Sequence, residues 1–79
     1  MLAALQTHIA TLPPVVRAVG SIGANFAGHV FCRVQWIAKS GKTRTLESRM
    51  EAADMKGDPT EIIRNLCNQA RGEIEADHG

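Results

Sequence analysis

The side chains that could bind a metal ion or act as nucleophiles are few and widely spaced in this chain. The set consists of His8, His29, Cys32, Cys67 and His78. Only His29 and Cys32 lie close in sequence, and in an extended strand residues three apart point to opposite faces. Because a metal site or a nucleophile–base pair needs its groups side by side, we expect no metal site, no cofactor and no catalytic residue.

Two glycine-containing stretches have part of the pattern of a phosphate-binding loop. Gly23 and Gly28 have the spacing of its glycines, but His29 and Val30 follow where such a loop needs Lys and then Ser or Thr. The stretch Ser40-Gly41-Lys42-Thr43 supplies those later residues, but it lies in a predicted hairpin rather than before a helix. Neither stretch predicts nucleotide binding, so we expect a binding protein rather than an enzyme.

Helical signals lie towards the two ends of the chain. A helical stripe of leucine and isoleucine predicts a first helix from Leu2 to about Thr11, and Pro13 and Pro14 end it. The stretch Asp58-Pro59-Thr60-Glu61 predicts the start of a last helix, with Asp58 as its N-cap. The inner stripe predicted for that helix is Ile63, Leu66, Cys67, Ala70 and Ile74, with Ile62 beside it.

Between these helices, residues 30–50 show the alternation of a β-hairpin. A two-residue turn would place the apolar face of one strand opposite the polar face of the other. A three-residue loop, Lys39-Ser40-Gly41, aligns the two faces and gives Gly41 the left-handed conformation that glycine adopts most readily. The cross-strand pairs expected in this register are Val30–Met50, Cys32–Ser48, Val34–Leu46, Arg33–Glu47, His29–Glu51 and Phe31–Arg49.

The segment 15–26 fits both a helix and a strand, and Gly20 and Gly23 weaken both patterns. We interpret it as a short helix that ends near one of these glycines. The predicted fold is a single α+β domain over residues 1–79, in the order α-(α)-β-β-α, with an antiparallel hairpin packed against the terminal helices. In the alternative reading the segment adds a third strand. The resulting α-β-β-β-α order resembles double-stranded RNA-binding domains, although Asp58 and Glu61 would repel phosphate.

The formal net charge of +1 conceals two halves of opposite sign. Residues 1–46 carry five bases and no acid, whereas residues 47–79 carry eight acids and four bases. One candidate protein-binding surface is therefore the acidic face of the last helix, with Glu61, Glu73, Glu75 and Asp77. A basic hairpin tip forms a candidate nucleic-acid surface, with Lys39, Lys42 and Arg44, which have no predicted cross-strand ion pair, together with Arg33 and Gln35. Phe26, Phe31 and Ile37 lie off the predicted core face, and Phe31 and Ile37 predict a protein or homodimer contact.

In its size, single domain, mixed α/β layout and lack of a catalytic motif, the chain resembles the phage-encoded inhibitors called anti-CRISPR proteins. The resemblance covers the layout of the whole chain but no motif, so it carries over no functional residue. It implies a non-enzymatic inhibitor that docks on a CRISPR effector, a larger ribonucleoprotein complex, and blocks its binding of target DNA. The contact surface would be the acidic last helix or the polar sheet face.

The alternative hypothesis is a small nucleic-acid-binding module that uses the basic hairpin tip. Under either hypothesis we expect a cytoplasmic protein, in a bacterial host cell if the chain is phage-encoded. No signal peptide is visible, and no apolar stretch approaches the roughly 20 residues of a membrane span. The pattern leaves open whether the protein is a monomer or a homodimer.

Overall fold

The computed structural model describes residues 2–50 and 59–78, which form two helices packed on one face of a three-stranded sheet. Helix α1 spans Leu2–Ile9 and helix α2 spans Thr60–His78. The strands are β1, Val19–Ala24, β2, Val30–Ile37, and β3, Thr43–Met50, and a short 3₁₀-helix, Pro14–Val16, precedes them. The predicted α+β domain with an antiparallel sheet between terminal helices is confirmed.

The three strands form an antiparallel meander in the order β1-β2-β3. The predicted register of the second hairpin is confirmed, since Val30 lies opposite Met50 and Arg33 lies opposite Glu47. Its three-residue loop is confirmed as well, because Gly41 has a φ of 88°. The expected pairing of His29 with Glu51 and the expected N-cap at Asp58 lie outside the described residues.

The helical interpretation of residues 15–26 is wrong, and the alternative third strand is correct. Only Pro14–Val16 forms a helical turn, and Arg17 ends it with a left-handed φ of 52°. Strand β1 follows and pairs with β2 along its whole length, from Val19 opposite Gln35 to Ala24 opposite Val30. The pairing supplies backbone partners that a short, glycine-interrupted helix could not retain, so the sheet overrides a weak local preference.

The core lies between the sheet and the two helices, and Trp36 of β2 is at its centre, 2% exposed. The predicted inner stripe of α2 is confirmed, since all five of its members are buried. Helix α1 lies close over β1 because Gly20 has no side chain. A β-carbon at Gly20 would overlap Ile9 and come within 2.9 Å of Leu5. The buried core residues are Leu5, Leu12, Val16, Cys32, Val34, Trp36, Met50, Ile63, Leu66, Cys67, Ala70 and Ile74.

A polar contact joins the segment after α1 to α2. The Arg71 guanidinium donates one hydrogen bond to the Thr11 hydroxyl and another, of 3.0 Å, to the Asn68 side chain. The two helices are thereby held side by side on the same face of the sheet. Neither described helix combines the length and the apolar character that a membrane crossing requires.

Candidate docking surface

The face of the sheet that points away from the helices is a candidate docking surface, and we call it the open face. Side chains alternate along a strand, so the burial of Cys32, Val34 and Trp36 against the helices places their odd-numbered neighbours on this face. Its residues are Val19, Ser21, Gly23, Phe31, Arg33, Gln35, Ile37, Thr43, Thr45, Glu47 and Arg49. The face mixes exposed apolar and charged groups, a composition typical of protein contact surfaces.

An ion pair occupies the middle of the open face. Arg33 Nε and Nη2 both lie 2.6 Å from Glu47 Oε1, across the β2–β3 ladder. The two side chains remain 46% and 41% exposed, so water screens the pair and its contribution to stability is small, about 0.2–1 kcal/mol. The predicted Arg33–Glu47 pairing is confirmed, and it cancels the charge of one base in the proposed nucleic-acid surface.

Two further polar contacts extend across the open face. Gln35 Nε2 donates to Thr45 Oγ1 over 3.3 Å. At the other end of the hairpin, Arg49 Nη2 lies 2.6 Å from His29 Nε2. Because a guanidinium can only donate, His29 Nε2 is the acceptor in this contact. The polar groups of this face are therefore already ordered before any partner binds.

A shallow cleft of about 460 Å³ opens where β1 meets the first turn. Its floor is the backbone of β1 around Gly23, where no side chain fills the space, and Phe31 and the Arg33–Glu47 pair form its other walls. The cleft offers one aromatic side chain, the backbone of β1 and the polar side chains of Ser21, Asn25, Arg33 and Glu47.

The basic hairpin tip and the acidic helix are in contact with each other. Arg44 Nη2 lies 2.7 Å from Glu73 Oε1, and the Lys39 backbone N–H donates to Asp77 Oδ2 over 2.6 Å. The predicted register gives Arg44 no cross-strand ion pair, and its partner comes instead from α2. Arg44 lies opposite Trp36, so it projects from the helix-covered side of the sheet to the end of α2, where Glu73 meets it.

This contact divides both of the predicted charged surfaces. Glu73 and Asp77 are engaged with the tip, while Glu61 and Glu75 are exposed on α2. Glu61 and Glu75 are fourteen residues apart and hence about 21 Å apart along the helix axis. Of the predicted basic set, Lys39 and Lys42 are exposed at the tip, Arg33 and Gln35 lie on the open face, and Arg44 belongs to the α2 contact. Phe31 and Ile37 lie on the open face with Arg33 and Gln35.

Neither family models, nor curated proteins, nor solved structures gave a match to this chain. Among these residues, no group of three or more His, Cys, Asp or Glu side chains converges on a point where a metal ion could bind.

Both cysteines are buried in the core as free thiols, which confirms their predicted place on inner faces. Burial raises the pKa of Cys32 to about 11, and the neighbouring Cys67 adds to this shift. Burial also raises the pKa of Cys67, although Arg71 acts in the opposite direction. A protonated, enclosed thiol is a poor nucleophile, so these residues act as small apolar core groups.

The first turn exposes an aromatic side chain more fully than the sequence pattern indicates. Phe26 at its tip is fully exposed, at 112% of the reference area. Asn25 Oδ1 accepts hydrogen bonds of 3.0 Å from the amides of Ala27 and His29, so the turn is ordered although its aromatic side chain touches no core. The signal that could have identified this turn is an Asn followed three residues later by Gly28, which has a φ of 81°.

Proposed function

We propose that this chain is a non-enzymatic binding module that docks on a larger protein through the open face. The observation that carries the proposal is the composition of that face. Exposed Val19 and Ile37 and half-buried Phe31 share this face with the Arg33–Glu47 pair. Apolar groups among fixed polar ones combine water exclusion with specific hydrogen bonding, as protein interfaces do.

The ion pair favours a protein partner over a nucleic acid. Affinity for a phosphate backbone grows with the number of bases that meet phosphates. On this surface Glu47 places a carboxylate in the middle of the face and neutralises Arg33. Glu73 does the same for Arg44 at the tip, which leaves exposed Lys39 and Lys42 there. The basic-tip hypothesis of nucleic-acid binding is correspondingly weakened.

The internal contacts also favour the open face over the acidic helix. Asp77 already accepts a hydrogen bond from the Lys39 amide, and Glu73 is paired with Arg44. A partner that used these carboxylates would have to break contacts within the domain before it formed its own. The open face can be covered without such a loss.

The resemblance to anti-CRISPR proteins supplies a specific partner for this proposal. In that case the open face contacts a protein subunit of a CRISPR effector complex and prevents the complex from binding target DNA. The balanced charge of the chain supports contact with a defined protein patch rather than imitation of DNA, since DNA mimicry requires a strongly acidic surface.

The test measures binding of the purified chain to a panel of guide-loaded effector complexes, and then target-DNA binding by gel shift. We expect the wild type to bind one complex and to reduce its binding of DNA. Ile37→Asp, on the open face, should weaken the association about tenfold or more, because a partner must desolvate the new charge. Gln69→Asp, an equal charge change on the exposed side of α2, is the matched control and should bind like the wild type.

Two outcomes would overturn the proposal. The first is that Glu75→Lys abolishes inhibition while Ile37→Asp preserves it, because the acidic helix would then carry the contact. The second is tight binding to duplex DNA or RNA that weakens steeply with salt and is lost in Lys42→Glu, as expected of a nucleic-acid module. Circular dichroism of each variant confirms that the fold is retained before its binding is interpreted.

A further inference from the structure

The two outer strands of the sheet differ in how they are protected against pairing with another strand. Strand β3 carries Arg44, Glu47 and Arg49, and charged side chains on an outer strand discourage such pairing. Strand β1 reads VGSIGA, without a charge or a proline, and residues 18–28 contain no charged residue at all. Its outer edge faces no strand among the described residues, and four of its six residues are exposed.

Exposed apolar side chains concentrate at the same edge. Of the four large hydrophobic residues exposed in the described part of the chain, Val19 begins β1, and Val15 and Phe26 lie within four residues of its ends in sequence. Val19 is the first residue of the strand and is 60% exposed, and Phe26 lies just beyond the strand's end. Val15, 72% exposed, lies in the short 3₁₀-helix four residues before the strand. Isolated exposed apolar residues need no explanation, but this set flanks an unprotected backbone edge.

We propose that β1 pairs antiparallel with β1 of a second copy, across a two-fold axis perpendicular to the sheet. This arrangement joins two three-stranded sheets into one of six strands. Antiparallel pairing brings Phe26 of each copy towards the end of the other copy's sheet edge where Val15 and Val19 are exposed. The exposed apolar side chains at the two ends of the edge therefore cover each other. Such an interface is self-complementary, which a two-fold dimer requires.

Charge argues for a second copy as the occupant of this edge. Identical strands bring identical residues near the axis, where like charges would repel, and β1 brings none. Helix α1 lies beneath β1 and would approach its own copy across the same axis. The exposed positions of α1 among the described residues are Ala3, Gln6 and Thr7, and none of them is charged.

The dimer goes beyond the proposed function and is independent of it. A perpendicular two-fold axis keeps both open faces on the same side, so the dimer would present twice the docking area of one chain. Binding of a partner by a monomer would leave the proposed function intact and exclude this inference. If the chain forms the dimer but binds no partner protein, this inference stands and the proposed function fails.

Sedimentation equilibrium over a micromolar-to-millimolar concentration series tests the inference, and we expect a reversible monomer–dimer equilibrium. Ser21→Lys places a charge near the axis and should raise the dimer dissociation constant about tenfold or more. Thr45→Lys adds the same charge to the open face on the outer strand β3 and should leave the constant unchanged. Phe26→Ala should weaken the dimer, because it removes the most exposed apolar group of the interface.

Hydrogen exchange of the wild type provides a second measurement that does not depend on variants. With rising concentration, amides in residues 19–24 should become more protected while those in residues 43–50 stay unchanged. A clean monomer at the highest concentration overturns the proposal. Equal weakening by Ser21→Lys and Thr45→Lys also overturns it, because the copies would then meet through their open faces rather than through the β1 edges.

Discussion

The two hairpins of this domain share β2 and turn in the same way, yet they are held by different parts of the chain. In the first turn Asn25 N donates to His29 O over 3.0 Å, and in the second Ala38 N donates to Lys42 O over 2.8 Å. In each, a glycine with positive φ precedes the closing residue, with values of 81° at Gly28 and 88° at Gly41. The backbone geometry of the two turns is thus nearly the same.

The contacts that hold the first turn are local in sequence, whereas those that hold the second come from distant residues. The first turn is held by its own Asn25 side chain, within four residues. The second is held by α2, through Asp77 at Lys39 and Glu73 at Arg44, which lie 38 and 29 residues away. The first turn therefore depends on a local contact, whereas the second depends on the position of α2, through the Lys39 amide and the Arg44 side chain that follows the turn.

The largest effect is expected where the first hairpin meets α1. Gly20→Ala should lower the free energy of unfolding by about 1–3 kcal/mol, because a β-carbon there overlaps Ile9 and crowds buried Leu5. Urea unfolding followed by the fluorescence of Trp36, the single tryptophan, measures the change.

Gly23→Ala, in the same strand, is the matched control for this effect. A β-carbon at Gly23 meets nothing within 4 Å, so this variant should be neutral or slightly more stable. If the two alanine variants lose the same stability, close packing of α1 on the first hairpin does not explain the glycine at position 20.

The shared geometry of the turns predicts equal penalties at their glycines. Gly28→Ala and Gly41→Ala should each lower the free energy of unfolding by roughly 1–2 kcal/mol. Space for a β-carbon is available at both positions, but a residue with a β-carbon is strained at these positive φ values. Gly72→Ala, on the exposed side of α2, should instead stabilise the domain by about 0.5–1 kcal/mol. A clear difference between Gly28→Ala and Gly41→Ala in urea unfolding would break the equivalence of the two turns.

The different contacts of the turns can be separated by amide exchange. Asn25→Ala should cost about 1 kcal/mol and should speed exchange at the Ala27 and His29 amides, whose common acceptor is lost. Asp77→Ala should lower the free energy of unfolding by less than Asn25→Ala does, and it should speed exchange at the Lys39 amide. If Asn25→Ala also alters residues 39–42, the two turns are coupled and the distinction between local and tertiary contacts fails.

The smallest effect is expected for the Arg44–Glu73 pair. A double-mutant cycle with Arg44→Ala and Glu73→Ala should give a coupling free energy of about 0.2–1 kcal/mol, because the Arg44 side chain is 51% exposed. The coupling should decrease with added salt. A coupling that does not respond to salt would mean that packing, rather than charge, holds the second turn against α2.

Sequence reasoning was most accurate where one local rule left a single solution. The register of the second hairpin could be predicted residue by residue. The alternation of apolar and polar side chains allowed only a three-residue loop, and Gly41 could adopt its left-handed conformation. The stripe of α2 was predicted for the same reason, since its apolar spacing fits one face of a helix. For the candidate site, the same register predicted the Arg33–Glu47 pair in the middle of the open face.

The first hairpin could be predicted only as an alternative, because its local signals conflict. Gly20 and Gly23 weaken any local preference, and β1 forms because β2 offers a second edge to pair with. The contact of Arg44 with Glu73 could not be predicted for another reason. It depends on where α2 crosses the sheet, and neither residue carries a local signal for that crossing. The sequence therefore predicts two separate charged surfaces, whereas in the structure they are in contact.

The hydrogen bond from Arg71 to Thr11 has a consequence for how the chain folds. The strand pairings and turns link residues close in sequence, whereas this bond spans 60 residues of a 79-residue chain. Since contacts across long loops form at a higher entropic cost, we expect the meander to form before the two helices meet. Arg71→Ala should then hardly change the folding limb of a stopped-flow chevron while it accelerates unfolding. A matching loss in folding rate would mean that the helices already touch in the transition state.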